Sequence, residues 1–142
     1  MVYNHKFHTQ KPRRSLQARQ PIERHVFHAV RKLFAYVYPG ATYESMRKGA
    51  GHVDGTSVWN GNVALCGHNR GSWPYFGTLK SVQVGDIITY RTSLGVRTYR
   101  VTSAGRIAAT NTAVLNPTAD NRITLLTCIG FAPAICLVYI GF

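Results

Sequence analysis

No stretch of this 142-residue chain reaches the roughly 18 consecutive apolar residues that a membrane helix needs. Arg13-Arg14 is followed by no apolar run, which excludes a twin-arginine signal. Cysteine is sparse: Cys66, Cys128 and Cys136 are the three present, too few for a paired disulfide framework. They form no close Cys-x-x-Cys pair of the kind zinc sites use, so neither a metal nor any other cofactor is expected. Charged residues make up only 15% of the chain and apolar ones 45%, a balance that fits a globular domain rather than a disordered one. No internal repeat is visible. One absence is positional: no Lys or Arg follows Arg122.

The charge that is present is lopsided. Residues 1–34 hold eight Lys or Arg against one acid, and four of the six His. The rest of the chain holds nine against four. Residues 1–20 are polar, basic and without periodicity, and read as disordered or extended. From Pro21, the residues Ile22, Val26, Ala29, Val30, Leu33 and Val37 recur at helical spacing, which predicts an amphipathic helix that Pro39-Gly40 stops. The expected organisation is a basic arm over residues 1–34 and a β-barrel domain over residues 35–142. The plainer reading is a solvated arm whose helix docks on the barrel; a basic face resting on an anionic membrane surface is the functional alternative. Nucleic acid is not an expected partner, because no ladder of aromatics accompanies the charge.

Beyond the arm, short strands dominate. Tyr36-Val37-Tyr38 reads as one, and Thr42 as the cap of a short helix through Lys48 with Gly49 beyond its end. Gly49, Gly51, Gly55 and Gly61 predict a long loop. Ile87 to Thr92 and Val96 to Ser103 predict a hairpin about Leu94-Gly95, and Arg106 to Thr110 a further strand. Asn111 to Asn121 reads as a loop. Pro74 to Lys80 suggests a helical turn, with Trp73, Tyr75 and Phe76 either packed in the core or walling a substrate groove. Ile135 to Ile140 is the last apolar run. Many short strands with few helices predict an all-β barrel.

Two strands carry the chemistry. Arg122-Ile123-Thr124-Leu125-Leu126-Thr127-Cys128 is β-branched or apolar throughout, so it reads as a buried strand that delivers a thiol at its end. Asn62-Val63-Ala64-Leu65-Cys66 likewise delivers Gly67-His68-Asn69. Thiol–imidazole pairing is a recurrent way to activate cysteine; a packed cysteine and an ordinary histidine are the plainer alternative. His52 competes for the role of base, but no apolar strand is expected to present it. Cys66 reads as a small hydrophobe within its strand.

The residues around these two resemble a known family. Gly67-His68-Asn69-Arg70-Gly71 after an apolar strand, and Leu125-Leu126-Thr127-Cys128, are similar to the two catalytic strand ends of sortases. Between them, Phe76-Gly77-Thr78-Leu79-Lys80, Val84-Gly85-Asp86-Ile87-Ile88 and Arg97-Thr98-Tyr99-Arg100-Val101 follow the family's order. Upstream, Gly49-Ala50-Gly51-His52-Val53-Asp54-Gly55-Thr56-Ser57 is similar to a stretch of class D sortases. The likeness runs from about Val37 to Cys128.

The resemblance implies a closed β-barrel of seven to eight strands and a cysteine transpeptidase at the extracytoplasmic face of a Gram-positive cell membrane. It implies that Cys128 attacks a Leu-Pro-x-Thr-type sorting motif of a secreted protein and holds it as a thioester. An amine of the cell wall or of a pilin then resolves it, with His68 moving protons. No motif here assigns the substrate-binding residues. Three departures accompany the likeness: the sequence shows no membrane anchor, its first part lacks the expected opening strand, and the family arginine is missing. That arginine is expected about eight residues after the cysteine, where this chain has Cys136. Arg122 starts the Cys128 strand and lies six residues, about 20 Å, from its end; Arg70 is nearer to His68 in sequence but stands at a different position. The absence predicts impaired catalysis, with a dead barrel that only binds sorting-motif peptides as the alternative.

Overall fold

The computed structural model describes residues 26–29, 33–128 and 135–141. Eight strands form a closed barrel: β1 (Val26–Ala29), β2 (Leu33–Pro39), β3 (Ala50–His52), β4 (Asn62–Cys66), β5 (Ile87–Thr92), β6 (Gly95–Ala108), β7 (Arg122–Cys128) and β8 (Ile135–Gly141). Around the barrel they run β1-β2-β3-β4-β7-β8-β6-β5, and β1 pairs back onto β5 to complete the ring. Among the described strands, each has a neighbour on both sides, so closure leaves no edge strand there. The all-β barrel expected from the sequence is the fold observed.

Strand alternation builds the core. Leu33, Ala35 and Val37 of β2 are buried, whereas Phe34 and Tyr36 between them are exposed. Val63 and Leu65, Ile88 and Tyr90, Tyr99 and Val101, and Ile123 and Leu125 meet them from the other strands. This period of two also corrects the sequence reading. The helix expected from Pro21 to Val37 is replaced by β1 and β2 where the chain is described; its first residues lie outside the described ones. Leu33 and Val37 fit a helical stripe and a strand face equally. Pairing of β1 with both β2 and β5 decides between them, since tertiary ladders override local pattern. β1 thus lies within the stretch expected as the arm.

Other expectations hold more closely. Helix α1 (Tyr43–Lys48) is capped by Thr42, whose Oγ1 accepts from the Ser45 N–H at 3.0 Å. Gly49 ends it where a Cβ would stand 2.3 Å from the Tyr36 carbonyl oxygen, so only glycine fits. The hairpin at Leu94-Gly95 forms as expected, but its second strand is longer than expected. β6 runs unbroken from Gly95 to Ala108, pairing with β5 over its first half and β8 over its second. The loop expected over Gly49 to Gly61 contains β3. Thr112–Leu115, expected within a loop, forms a single 3-10 turn.

Candidate active site

The site begins with a parallel ladder. β4 and β7 pair in one register from Asn62↔Arg122 to Cys66↔Leu126. Past the last pair, the Gly67 N–H donates to the Leu126 carbonyl at 3.2 Å, and the Thr127 hydroxyl donates to the Gly67 carbonyl at 2.7 Å. Thr127 is buried, so this side-chain bond holds the two chains together beyond the ladder. His68 leaves β4 and Cys128 ends β7 at the same rim of the barrel. Neighbouring strands lie about 4.8 Å apart, so the backbones of these two residues, sixty positions apart in sequence, leave adjacent strands at one end of the barrel.

His68 is held through its backbone and covered through its ring. Its carbonyl accepts from the Phe76 N–H at 3.0 Å. Phe76 itself is fully buried and packs over Gly67. The ring of Tyr43, first residue of α1, lies 5.2 Å from the His68 ring, centroid to centroid. Trp73 stands edge-on to Tyr43 at 6.4 Å, and the Arg47 guanidinium lies 5.3 Å over Trp73. The Glu44 carboxylate holds Arg47 through two bonds of 3.0 and 3.1 Å. Their hydrogen bond pulls the Glu44 carboxyl below its ordinary range. Inside this cover, His68 Nε2 is buried and has no hydrogen-bond partner among the described residues. A shielded imidazole nitrogen with spare bonding capacity suits proton transfer to a neighbouring group.

The other candidates separate from this pair. His52 lies on β3, not in a loop, and is 1% exposed. Its Nε2 lies 2.8 Å from the Ser57 carbonyl oxygen, which can only accept, so that nitrogen donates. His52 therefore pins the 53–57 turn. Cys66 is half-buried, and its Sγ donates weakly to the Gly51 carbonyl at 3.6 Å. Arg122 is paired with Asp120 at 2.7 Å at the far end of β7, and Arg70 is exposed on the loop after His68. Of the three aromatics expected near the site, Phe76 is core, Tyr75 packs against the core and Trp73 belongs to the cover. Cys136 on β8 stands directly across the antiparallel ladder from Cys128.

The sequence did not disclose three contributors. Tyr43 falls in no motif. Thr127 reads only as a β-branched strand residue, although its place between the ladder and Cys128 is a signal. Gly67 reads as part of a Gly-His pair without its reason, the close approach of Phe76. No cluster of metal-binding side chains occurs among the described residues.

Comparison with known proteins agrees with this geometry. The chain is 36% identical over 95 residues to sortase A of Listeria monocytogenes, covering 65% of this chain and 42% of the relative. It is 30% identical over 98 residues to sortase A of Staphylococcus aureus, covering 65% and 48%. The chain thus spans less than half the length of these relatives. The crystal structure of Listeria monocytogenes sortase A superposes with a TM-score of 0.74 at 29% identity, over 83% of this chain and 84% of that one. The family model described as "Sortase domain" matches residues 29–134, most of the sequence; the chain belongs to the sortase family.

Proposed function

We propose that this chain is a cysteine transpeptidase whose nucleophile is Cys128 and whose acid–base group is His68. The single observation that carries the reading is the β4–β7 register, which delivers both residues to one rim. The thiolate of Cys128 attacks the carbonyl carbon of Thr in a Leu-Pro-x-Thr-type motif of a secreted protein, breaking the bond that follows Thr. Free cysteine has a pKa of about 8.5, so the thiolate needs a neighbour to favour it. The tetrahedral intermediate collapses as His68 gives a proton to the leaving amine, and a thioester remains. An amine of the cell wall or of a pilin attacks that thioester, His68 takes its proton, and Cys128 is released. The reaction takes place at the cell surface, where sortases act. Among the described residues, no helix is long and apolar enough to cross a membrane.

The weak step is stabilisation of the oxyanion. The resemblance assigns this to an arginine about eight residues after the cysteine, and this chain has Cys136 there. Loss of one such donor costs about 10²- to 10³-fold in rate. We therefore assign the chain a slow activity. Cys136 also favours a second reading, a barrel that binds sorting-motif peptides without cleaving them.

Incubation of the reduced protein with a Leu-Pro-x-Thr-Gly peptide and hydroxylamine separates the two. Hydroxamate formed by the protein, and lost in both Cys128→Ala and His68→Ala, is the expected result. Peptide binding with no hydroxamate at any enzyme concentration would establish the second reading.

A further inference from the structure

The β7–β8 ladder places two cysteines opposite each other. Its register is unbroken from Ile123↔Gly141 to Cys128↔Cys136. On its other side β8 is held by β6, where Ile107 pairs with Cys136. Pinned from both flanks, β8 cannot slip by one residue without moving its whole pattern to the opposite face. Directly opposed positions of an antiparallel pair lie on the same face of the sheet, with Cα atoms about 4.5 to 5.5 Å apart. Disulfides span Cα separations of about 4.4 to 6.8 Å. Either ladder spacing therefore suits a bridge.

Cys66 does not compete for this partner. It pairs with Leu126, two residues short of Cys128, and diagonal neighbours lie about 7 to 8 Å apart, at or beyond the disulfide limit. Its Sγ is directed toward Gly51 on the β3 side.

We propose that Cys128 and Cys136 close into a reversible intrachain disulfide that caps the nucleophile. The capping role rests on the reading of Cys128 as nucleophile; the bond itself rests only on the register. The oxidant is a low-molecular-weight disulfide. The Cys128 thiolate attacks one of its sulfurs, breaking that S–S bond and releasing one small thiol. The Cys136 thiolate then attacks the Cys128 sulfur of the mixed disulfide, forming the Cys128–Cys136 bond and releasing the second small thiol. Two protein thiols are oxidised, one small disulfide is reduced, and the two protons pass to the released thiolates. A resolving thiol one ladder spacing away outcompetes any thiol in solution. Outside the cytoplasm no thioredoxin or glutathione system holds thiols reduced. There the bridge switches the site off and shields Cys128 from irreversible oxidation to the sulfinic and sulfonic acids.

The test uses the full chain and oxidised glutathione, followed by alkylation and trypsin. No Lys or Arg follows Arg122, so one peptide, residues 123–142, contains both cysteines and excludes Cys66. The expected product is that peptide lighter by two hydrogens and unalkylated, with Cys66 alkylated, and dithiothreitol reverses the change. Cys136→Ser is expected to stop at the glutathione adduct on Cys128. A glutathione adduct on Cys128 of the unaltered protein with Cys136 alkylated, or a bridge to Cys66, would overturn the proposal. Peptide cleavage measured on the same samples keeps the two readings apart. A bridge in a protein that cleaves no peptide when reduced would retire the transpeptidase and the capping role and leave the bond standing. Cleavage without a bridge would do the reverse.

Discussion

Gly67 lies bare against the ring of Phe76: a Cβ at that position would stand 2.7 Å from the Phe76 Cγ. Because Phe76 is fully buried and also donates its N–H to the His68 carbonyl, the ring cannot retreat without moving the candidate base. Gly67→Ala is expected to cost about 1–3 kcal/mol as an overpacked core does. Thermal unfolding measures it. An unchanged midpoint would mean that the strand end relaxes freely.

Asn62 ties the bottom of the site strands to the loop before β7. Its Nδ2 donates to the Val114 and Asn116 carbonyls at 2.8 and 3.0 Å, and its Oδ1 accepts from the Thr124 hydroxyl at 2.8 Å. Both side chains are buried. Asn62→Ala strands several polar groups and is expected to cost about 3 kcal/mol; Thr124→Val strands one and costs less. Chemical denaturation of the two single variants and the double variant is expected to show strong non-additivity. Simple addition of the two effects would show that no shared network exists.

The three thiols are expected to differ in reactivity in the reduced protein. Cys66 is half-buried with its Sγ bonded to Gly51, whereas Cys128 ends β7 at the rim where His68 lies. Limited alkylation followed by peptide mass mapping is expected to find Cys128 modified before Cys66. Preferential labelling of Cys66 would remove the basis for a nucleophile at position 128.

Deletion of residues 1–20 is expected to leave the thermal midpoint nearly unchanged, since those residues are basic and lack apolar periodicity. The first described strand begins later, at Val26. The same deletion, or added salt, is expected to weaken binding to anionic vesicles. A large fall in the midpoint would show that the arm packs on the barrel.

What the sequence made legible was local. The uninterrupted apolar runs of β4 and β7, the Thr42 cap and the Leu94-Gly95 turn each carry their signal within a few residues. What escaped it was non-local. Leu33 and Val37 fit two periodicities, and only the ladders to β1 and β3 select the strand. β6 passes through Gly105 as a strand because β8 pairs along it, a partner thirty residues away that no window contains. His52 is hidden among glycines, and its burial follows from pairing with Leu65. At the site, the nucleophile and base candidates were readable as strand ends, whereas Tyr43 reaches His68 only once α1 has docked.

The central claim is that this sortase barrel keeps its nucleophile and base but lacks a cation for the oxyanion at position 136. The most direct test is the rate of Leu-Pro-x-Thr-Gly peptide cleavage by the unaltered protein and by Cys136→Arg, both under dithiothreitol so that no disulfide intervenes, with Cys128→Ala as the blank. Across the ladder from Cys128, an arginine supplies a fixed charge and several N–H donors where negative charge develops. The account predicts a gain of about tenfold or more, or about 1.4 kcal/mol off the barrier. No gain in a folded Cys136→Arg protein, or unaltered activity as high as that of a sortase with its arginine in place, would contradict it.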